Sequence, residues 1–231
     1  METQESNKFL VPLAIVVAGT LIAGAIYFGS TPRPSSGQAN SQQNTDNIDI
    51  VPVSAEDHVL GNRSAEIVIV EYSDTECPFC KVFHNTMKQV LNDYGNQVAW
   101  VYRHFPIVQL HTKAPKEAEA TECATEQGGN QAFWNYVDEV FGRTNSNDSL
   151  PESELAVIAG DIGLDVTAFN TCLNSGKYTE VIEKDVEAAV KAGARGTPYS
   201  LILDRDGKVV GTINGAEPIG SVKAKLDALL K

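Results

Sequence analysis

Short apolar runs alternate with an amphipathic segment in the first half of the domain. Residues 66–72 (EIVIVEY) are β-branched and apolar, which predicts a strand buried on both faces. Apolar positions then recur at helical spacing from Phe83 to Tyr94, and Gly95 supplies a stop. Residues 98–104 (VAWVYRH) predict a second strand. A strand, a helix and a strand in this order form a βαβ unit, so the two strands should be parallel.

The second half of the pattern is helical first and then returns to strands. Residues 112–194 read as helical throughout, and 199–203 (YSLIL) predict a strand. Residues 206–207 (DG) predict a hairpin turn, 209–213 the returning strand and 222–230 a closing amphipathic helix. Two helical faces stand out in the middle block: Leu155, Ile158, Ala159 and Ile162 in one, and Ile182, Val186, Ala189 and Val190, followed by the stop Gly193, in the other.

The N-terminal segment differs from the rest of the chain. Residues 9–28 carry no charge and are long enough to span a bilayer, about 30 Å at helical rise. We expect a retained membrane anchor over 1–29; a cleaved signal peptide and a buried core helix are the alternatives. Residues 30–50 are mostly small and polar, which predicts a flexible linker. The folded domain should then cover 51–231.

Charge narrows the classes of function. The chain has 18 Lys and Arg residues against 30 Asp and Glu residues, and a formal net charge of −12. Phosphate backbones would be repelled, so a nucleic-acid partner is not expected. The four cysteines are too few for a small disulfide-dense scaffold, but two of them are separated by only two residues.

The close pair, Cys77 and Cys80, has three common uses: redox catalysis, half of a zinc site and haem attachment. Haem attachment needs a His directly after the second cysteine, and Lys81 stands there. A zinc ribbon needs a second close pair, and the sequence has none. His84 makes a Cys-Cys-His set conceivable, but a fourth ligand is not evident. We therefore expect no metal and no organic cofactor.

Redox catalysis agrees with the position of the pair. It follows a central strand and opens a helix, where unpaired N–H groups and the helix dipole favour a thiolate at Cys77. Pro78 suits the first helical turn because its missing N–H is not needed there. Cys80 lies one turn further and should be shielded, in position to resolve a mixed disulfide. A purely structural disulfide between the two is the alternative.

Two further features bear on this chemistry. Thr197-Pro198 directly precedes a predicted strand, where a cis X–Pro bond or an ordinary trans turn would both be compatible with the pattern. Glu71 lies six residues before Cys77, near the end of the first strand. Strand twist would expose its carboxyl group. Burial beneath the cysteines would instead raise its pKa and let it exchange a proton with Cys80.

The segments EYSDTECPFCKVF and GTPYSLILD, the long helical block and the final ββα resemble the DsbA-like thiol-disulfide oxidoreductases of the thioredoxin superfamily. The resemblance covers about residues 51–231 and is strongest to the membrane-tethered, BdbD-type branch. It implies an α/β fold: a thioredoxin fold with a helical domain, here about 112–194, inserted before the final β-β-α unit.

The resemblance also implies roles for individual residues. Cys77 would be the exposed nucleophile and Cys80 the resolving thiol of a redox disulfide. Pro198 would be a cis-proline facing that disulfide, with Thr197 contacting the substrate backbone. Glu71 falls where the superfamily keeps a buried acid.

The other two cysteines, Cys123 and Cys172, lie in the helical block beside apolar residues. Two buried free thiols would satisfy the pattern. The resemblance favours a structural disulfide between them.

One position departs from many DsbA proteins, which have Pro-His between the cysteines. Phe79 offers no imidazole to hold the thiolate, so Cys77 should be less acidic and its disulfide less oxidising than in those relatives. The remaining histidines, His58, His104 and His111, are scattered, and we expect them to be ordinary surface or loop residues.

The expected function is therefore a membrane-tethered, extracytoplasmic dithiol oxidase that introduces disulfides into reduced exported proteins. The family implies a DsbB- or VKOR-type membrane partner that reoxidises it, and the lack of a dimerisation segment favours a monomer. A reductase or isomerase is the alternative within the same chemistry. A non-catalytic thioredoxin-fold binding module is the alternative from another class.

Overall fold

The computed structural model describes residues 48–230. The anchor predicted over 1–29 and most of the predicted linker lie outside the described residues. Ile48 and Ile50, at the end of that linker, are half-buried and pack against the core. Within 48–230, the structure contains no helix with the length and apolar character needed to cross a bilayer.

A five-stranded mixed sheet forms the centre of the domain, in the order β1-β3-β2-β4-β5. Its strands are β1 (His58–Gly61), β2 (Ile67–Ser73), β3 (Val98–His104), β4 (Tyr199–Leu203) and β5 (Val209–Asn214). β2 and β3 are parallel, as predicted, and the other neighbours are antiparallel. The pattern analysis missed β1, because a four-residue edge strand is too short to establish a period.

Six α-helices accompany the sheet in the described residues. They are α1 (Pro78–Tyr94), α2 (Ala114–Arg143), α3 (Ser153–Asp161), α4 (Val166–Ser175), α5 (Thr179–Lys191) and α6 (Ile219–Leu229). The helices α2 to α5 stand between β3 and β4, so the predicted thioredoxin fold with a helical insertion before the final β-β-α unit is confirmed. α2 is kinked at Gly129, whose φ of 65° lies in the left-handed region.

Each face of the sheet packs against its own helices. Along β2, Ile69 belongs to the cluster that includes residues of α1 and α6, whereas Val70 and Tyr72 belong to the cluster that includes residues of α5. This alternation follows from the period of two along a strand. The central strand is therefore covered on both sides.

One predicted helical face is narrower than expected. Ile182 and Ala189 of α5 are buried and Val186 is half-buried, but Val190 is 59% exposed. Val190 lies about 100° around the helix from Ala189, which turns its side chain out of the buried stripe.

A disulfide links two helices within the helical insertion. Cys123 on α2 and Cys172 on α4 form an S–S bond inside a cluster that also includes Tyr136 and Phe169. The bond therefore links two helices that are distant in sequence, in a part of the domain with its own apolar core.

Replacing Cys123 and Cys172 together by Ser should lower the free energy of unfolding. The bond closes a loop with a sequence separation of 49 residues, and the chain-entropy description assigns about 4 kcal/mol to a loop of this size. Urea unfolding should be measured in a Cys77→Ser/Cys80→Ser background, so that no other thiol reacts. An unchanged urea midpoint would show that the bond contributes nothing to stability.

Candidate active site

The first cysteine occupies the junction between β2 and α1. Cys77 is the N-cap of α1, with φ −77° and ψ 121°, and Pro78 begins the helix. The Cys77 N–H donates to the carbonyl oxygen of Asp74 at 3.1 Å, and the Cys77 carbonyl oxygen accepts from Lys81 N–H at 3.1 Å. The thiol is thereby fixed at the positive end of the helix, as predicted from the sequence pattern.

Cys77 is less exposed than we expected. Only 5% of its surface is accessible, and its thiol donates to the Thr197 carbonyl oxygen at 3.4 Å. We expected an exposed nucleophile, and the expectation of exposure is wrong, because the segment before β4 packs over the Cys77 sulfur. Both active-site cysteines are free thiols in this structure.

The surroundings of Cys77 favour its thiolate. A hydrogen bond from the Cys80 thiol lowers the pKa of Cys77 from 9.0 to about 6, with help from Thr197 and from the N–H groups of Cys80 and Phe79, and against the effect of burial. In most molecules Cys77 is then a thiolate at neutral pH. This pKa stays above the value of about 3.5 known for a DsbA, in the direction expected without an imidazole at position 79.

Cys80 has the opposite character. It is fully buried, and burial raises the pKa of its thiol well above 9.0, with further contributions from Cys77 and from the charge of Glu71. The Asp74 N–H donates to the Cys80 sulfur at 3.4 Å. The pair is therefore asymmetric: one sulfur ionises easily and the other retains its proton.

Glu71 is buried in the middle of the sheet, which decides between the two orientations left open by the sequence. It is in register with Tyr102 on β3 and with Ser200 on β4, and none of its side chain is exposed. Within residues 48–230 its carboxyl oxygens have no hydrogen-bond partner. Burial raises the pKa of Glu71 to about 8. The residue thus holds a proton at neutral pH and is electrostatically coupled to Cys80.

The Thr197-Pro198 peptide bond is cis and directly precedes β4. A groove of about 380 Å³ lies beside it, between this segment and the end of β5. Its lining residues include Arg195, Tyr199 and Asn214. The segment that contacts Cys77 therefore also borders an open groove.

Apolar side chains are exposed on two elements close to the cysteines. On α1, Phe79 between the cysteines is 64% exposed, and Val82 is exposed one residue beyond Lys81. On the loop after β3, Val108 and Leu110 are exposed, Leu110 to 67%. Exposed large apolar groups are typical of a surface that contacts other proteins when they form one patch.

Sequence analysis passed over the short loop before Cys77, which proves to be buried and densely bonded. Asp74 accepts from Ile107 N–H at 2.8 Å and lies 2.9 Å from His111 Nδ1. Glu76 accepts from the Thr144 hydroxyl at 3.0 Å. These contacts join the junction of β2 and α1 to the loop after β3 and to the end of α2. The signal available in sequence was the run of polar residues between a buried strand and the cysteines.

A second acid strengthens the attachment of this loop to α2. The Thr75 hydroxyl donates to Glu117 Oε2 at 2.6 Å. Burial, with the nearby carboxyl group of Glu76, raises the pKa of Glu117 to about 8. Glu117 is therefore neutral at physiological pH, and the two buried acids can lie close together.

The histidines expected on the surface are buried instead, so that expectation is wrong. His58 Nε2 and His104 Nε2 lie 2.7 and 3.0 Å from the same oxygen, Oε1 of Glu122. Burial opposes ionisation of Glu122, but the hydrogen bonds from the two imidazoles outweigh it and lower its pKa to about 2. Among the described residues, this His-His-carboxylate group is the one that could hold a metal ion. His84, from the conceivable zinc set, instead pairs with Asp138 at 2.6 Å.

The fold and this site correspond to those of known proteins. A family model described as thioredoxin matches residues 54–218. The structure is similar to that of DsbA2 from Pseudomonas aeruginosa, with 28% identity and a TM-score of 0.65, over 78% of this chain and 97% of that one. It is also similar to oxidised BdbD from Bacillus subtilis, with 18% identity and a TM-score of 0.68, over 80% and 98%. The chain belongs to the thioredoxin family, and within that superfamily its structure is DsbA-like.

One protein whose sequence is similar to this chain is named for a transport activity. The chain is 37% identical over 157 residues to Na⁺/H⁺ antiporter NhaA 3 of Salinispora tropica, and the match covers 68% of this chain and 23% of that protein. This chain spans about a quarter of the length of the curated relatives it matches. The antiporter activity in that name is said of that protein and is not transferred to this chain.

Replacing Cys80 by Ala should raise the pKa of Cys77 towards 9, because the Cys80 thiol is the largest source of thiolate stabilisation. The titration is followed by thiolate absorbance at 240 nm and by the rate of alkylation with iodoacetamide. A Cys77→Ser variant serves as the control, in which the low-pH absorbance step should vanish. A titration midpoint that stays near pH 6 in the Cys80→Ala variant would contradict this assignment.

Replacing Glu71 by Gln should reduce the loss of stability that accompanies rising pH. The pKa of Glu71 is about 8 in the folded state and near 4.5 in the unfolded state, so between these values only the folded protein keeps the proton and stability falls as pH rises. From pH 5.5 to 7.5 the variant should gain on the order of 2 to 3 kcal/mol relative to the wild type. Urea unfolding of both oxidised proteins measures this without thiol titration, and parallel pH profiles would refute it.

Proposed function

We propose that the chain is a dithiol oxidase that introduces disulfides into reduced exported proteins through Cys77 and Cys80. The observation that carries the proposal is the asymmetry of the pair. Cys77 is held at a helix N-terminus with its pKa lowered to about 6, while Cys80 is fully buried with its pKa raised. This division suits a sulfur that exchanges with substrate and a second sulfur that stays inside the enzyme.

The first step starts from the oxidised enzyme. A substrate thiolate attacks the Cys77 sulfur, the bond between Cys77 and Cys80 breaks, and the electron pair of that bond goes to Cys80. Cys80 then takes up a proton, because burial makes its thiolate unfavourable. Glu71 holds a proton at neutral pH and is coupled to Cys80, so it can supply this proton.

The second step releases the product. A second substrate thiolate attacks the substrate sulfur of the mixed disulfide, and Cys77 leaves as a thiolate. Its lowered pKa makes it a good leaving group. The substrate loses two electrons and gains a disulfide, and the cysteine pair of the enzyme is reduced.

Several surface features support a polypeptide substrate. The Thr197 carbonyl oxygen, which accepts from the Cys77 thiol, belongs to the segment beside the open groove. A substrate strand that binds along this segment would lie against the Cys77 sulfur. The exposed apolar side chains of Phe79, Val82 and Leu110 would bind apolar residues that are accessible only in unfolded proteins.

Direction and location belong to the same proposal. Stabilising the Cys77 thiolate favours the reduced enzyme, which makes its disulfide more oxidising and supports an oxidase over a reductase or isomerase. The Cys123–Cys172 bond suits an oxidising compartment. We propose that the segment 9–28 tethers a monomeric domain to the outer side of a membrane, where a DsbB- or VKOR-type protein reoxidises it.

Equilibration with glutathione buffers tests the direction. Oxidases of this superfamily reach about −120 mV and thioredoxin about −270 mV. The potential of the pair should lie above that of thioredoxin, since its thiolate is stabilised. A potential near that of thioredoxin would overturn the oxidase assignment in favour of a reductase.

Refolding of a reduced, disulfide-containing protein such as ribonuclease tests the chemistry itself. The wild type should accelerate the recovery of ribonuclease activity, and Cys77→Ser should abolish the effect. Cys123→Ser/Cys172→Ser is the matched control, because it removes two cysteines outside the site and should retain activity at a temperature where it stays folded. Full activity of Cys77→Ser would support the binding-module alternative.

A further inference from the structure

Asp74 and His111 form a buried pair beside the cysteines that the mechanism above does not use. The Asp74 side chain is fully buried and that of His111 almost so. Asp74 Oδ1 accepts from Glu76 N–H at 2.9 Å, and Oδ2 accepts from Ile107 N–H at 2.8 Å. His111 Nδ1 lies 2.9 Å from the same Oδ2. With two N–H donors and an imidazole directed at it, Asp74 serves as an acceptor throughout, which is the role of a carboxylate.

The backbone of Asp74 contacts both cysteines. Its N–H donates to the Cys80 sulfur at 3.4 Å, and its carbonyl oxygen accepts from Cys77 N–H at 3.1 Å. The side chain of Asp74 is therefore carried by the same residue whose backbone atoms contact the redox pair. A carboxylate in this place, left uncompensated, would oppose formation of the Cys77 thiolate.

The imidazole of His111 is surrounded by negative groups. Burial alone would lower the pKa of His111, but the hydrogen bond to Asp74 and the charges of Asp74, Cys77 and Asp148 raise it. Two further acids, Glu76 and Glu117, interact with each other and lie near Asp74. His111, when protonated, is the positively charged partner of Asp74.

Backbone N–H groups attach the loop after β3 to the segment before Cys77 without a contribution from the His111 imidazole. Phe105 N–H donates to the Ser73 carbonyl oxygen at 2.7 Å, and Ile107 N–H donates to Asp74. His111 N–H donates to the Ile107 carbonyl oxygen at 2.9 Å, which closes the loop on itself. Since the backbone already holds the loop, the distinctive contribution of the His111 side chain is its charge.

We propose that His111, as an imidazolium paired with Asp74, is the charged group that stabilises the Cys77 thiolate and makes the Cys77–Cys80 disulfide more oxidising. It takes the place of the imidazole that Phe79 does not provide between the cysteines. His111 acts through Asp74 and is a positioning residue, not a catalytic one. This inference rests on the proposed function only in assuming that the redox pair oxidises substrate dithiols.

The variant His111→Asn separates charge from hydrogen bonding, because the Asn amide nitrogen can donate to Asp74 in place of Nδ1 but carries no charge. The pKa of Cys77 should rise by about one unit, within the range that a nearby charge produces. The glutathione equilibrium should shift about tenfold towards the enzyme disulfide, which corresponds to a potential about 30 mV more negative. Gln109→Ala, an exposed site in the same loop, is the matched control and should equal the wild type.

Unchanged thiol pKa and potential in a folded His111→Asn variant would overturn the proposal and leave His111 a structural residue. A measurement on the unmodified protein covers the case in which the variant does not fold. Coupling is reciprocal, so NMR titration should find a higher pKa for His111 in the reduced protein than in the oxidised one. Equal values would also overturn it. Failure of the proposed function would give a different result. The wild type would then not oxidise dithiols, although the coupling between His111 and Cys77 would still be measured.

Discussion

Burial of ionisable groups at the junction of β2 and α1 is the constraint on which the chemistry depends. The end of a fully covered central strand is a place where a negative charge is expensive. Glu71 and Cys80, both without exposed surface, hold their protons there. Cys77 lies four residues beyond β2, at the positive end of α1, where hydrogen bonds allow a negative charge to develop in spite of burial. The two sulfurs therefore differ because hydrogen bonds stabilise the Cys77 thiolate, whereas burial dominates at Cys80.

The loop before Cys77 connects this chemistry to the inserted helices. Its acidic side chains are directed inward, where Asp74 binds the loop after β3, Thr75 binds α2 through Glu117, and Glu76 binds the segment after α2. The helical insertion is thus more than a cover for the sheet. Its first helix and the loop that leads to it set the position and the electrostatic surroundings of the redox pair.

The four cysteines illustrate how environment decides the fate of one functional group. Cys123 and Cys172 are joined between two helices in an apolar cluster. Cys77 and Cys80 share a helix N-terminus, a neighbouring carbonyl oxygen and a set of N–H donors. One pair can therefore serve as a fixed crosslink, while the other has the asymmetry that exchange requires.

Sequence by itself was sufficient for the features that depend on local patterns. The bounds of β3 and β4, the helix that begins directly after Cys77, and its end at Gly95 follow from apolar periodicity and a glycine stop. The tertiary structure decided what depends on residues far apart in the chain. Only contacts across the fold buried His58, His104 and His111 beside carboxylates, and only the segment before β4 covered Cys77. Periodicity reports which face of an element is buried, whereas the charge and accessibility of a buried group depend on partners that the linear pattern does not identify.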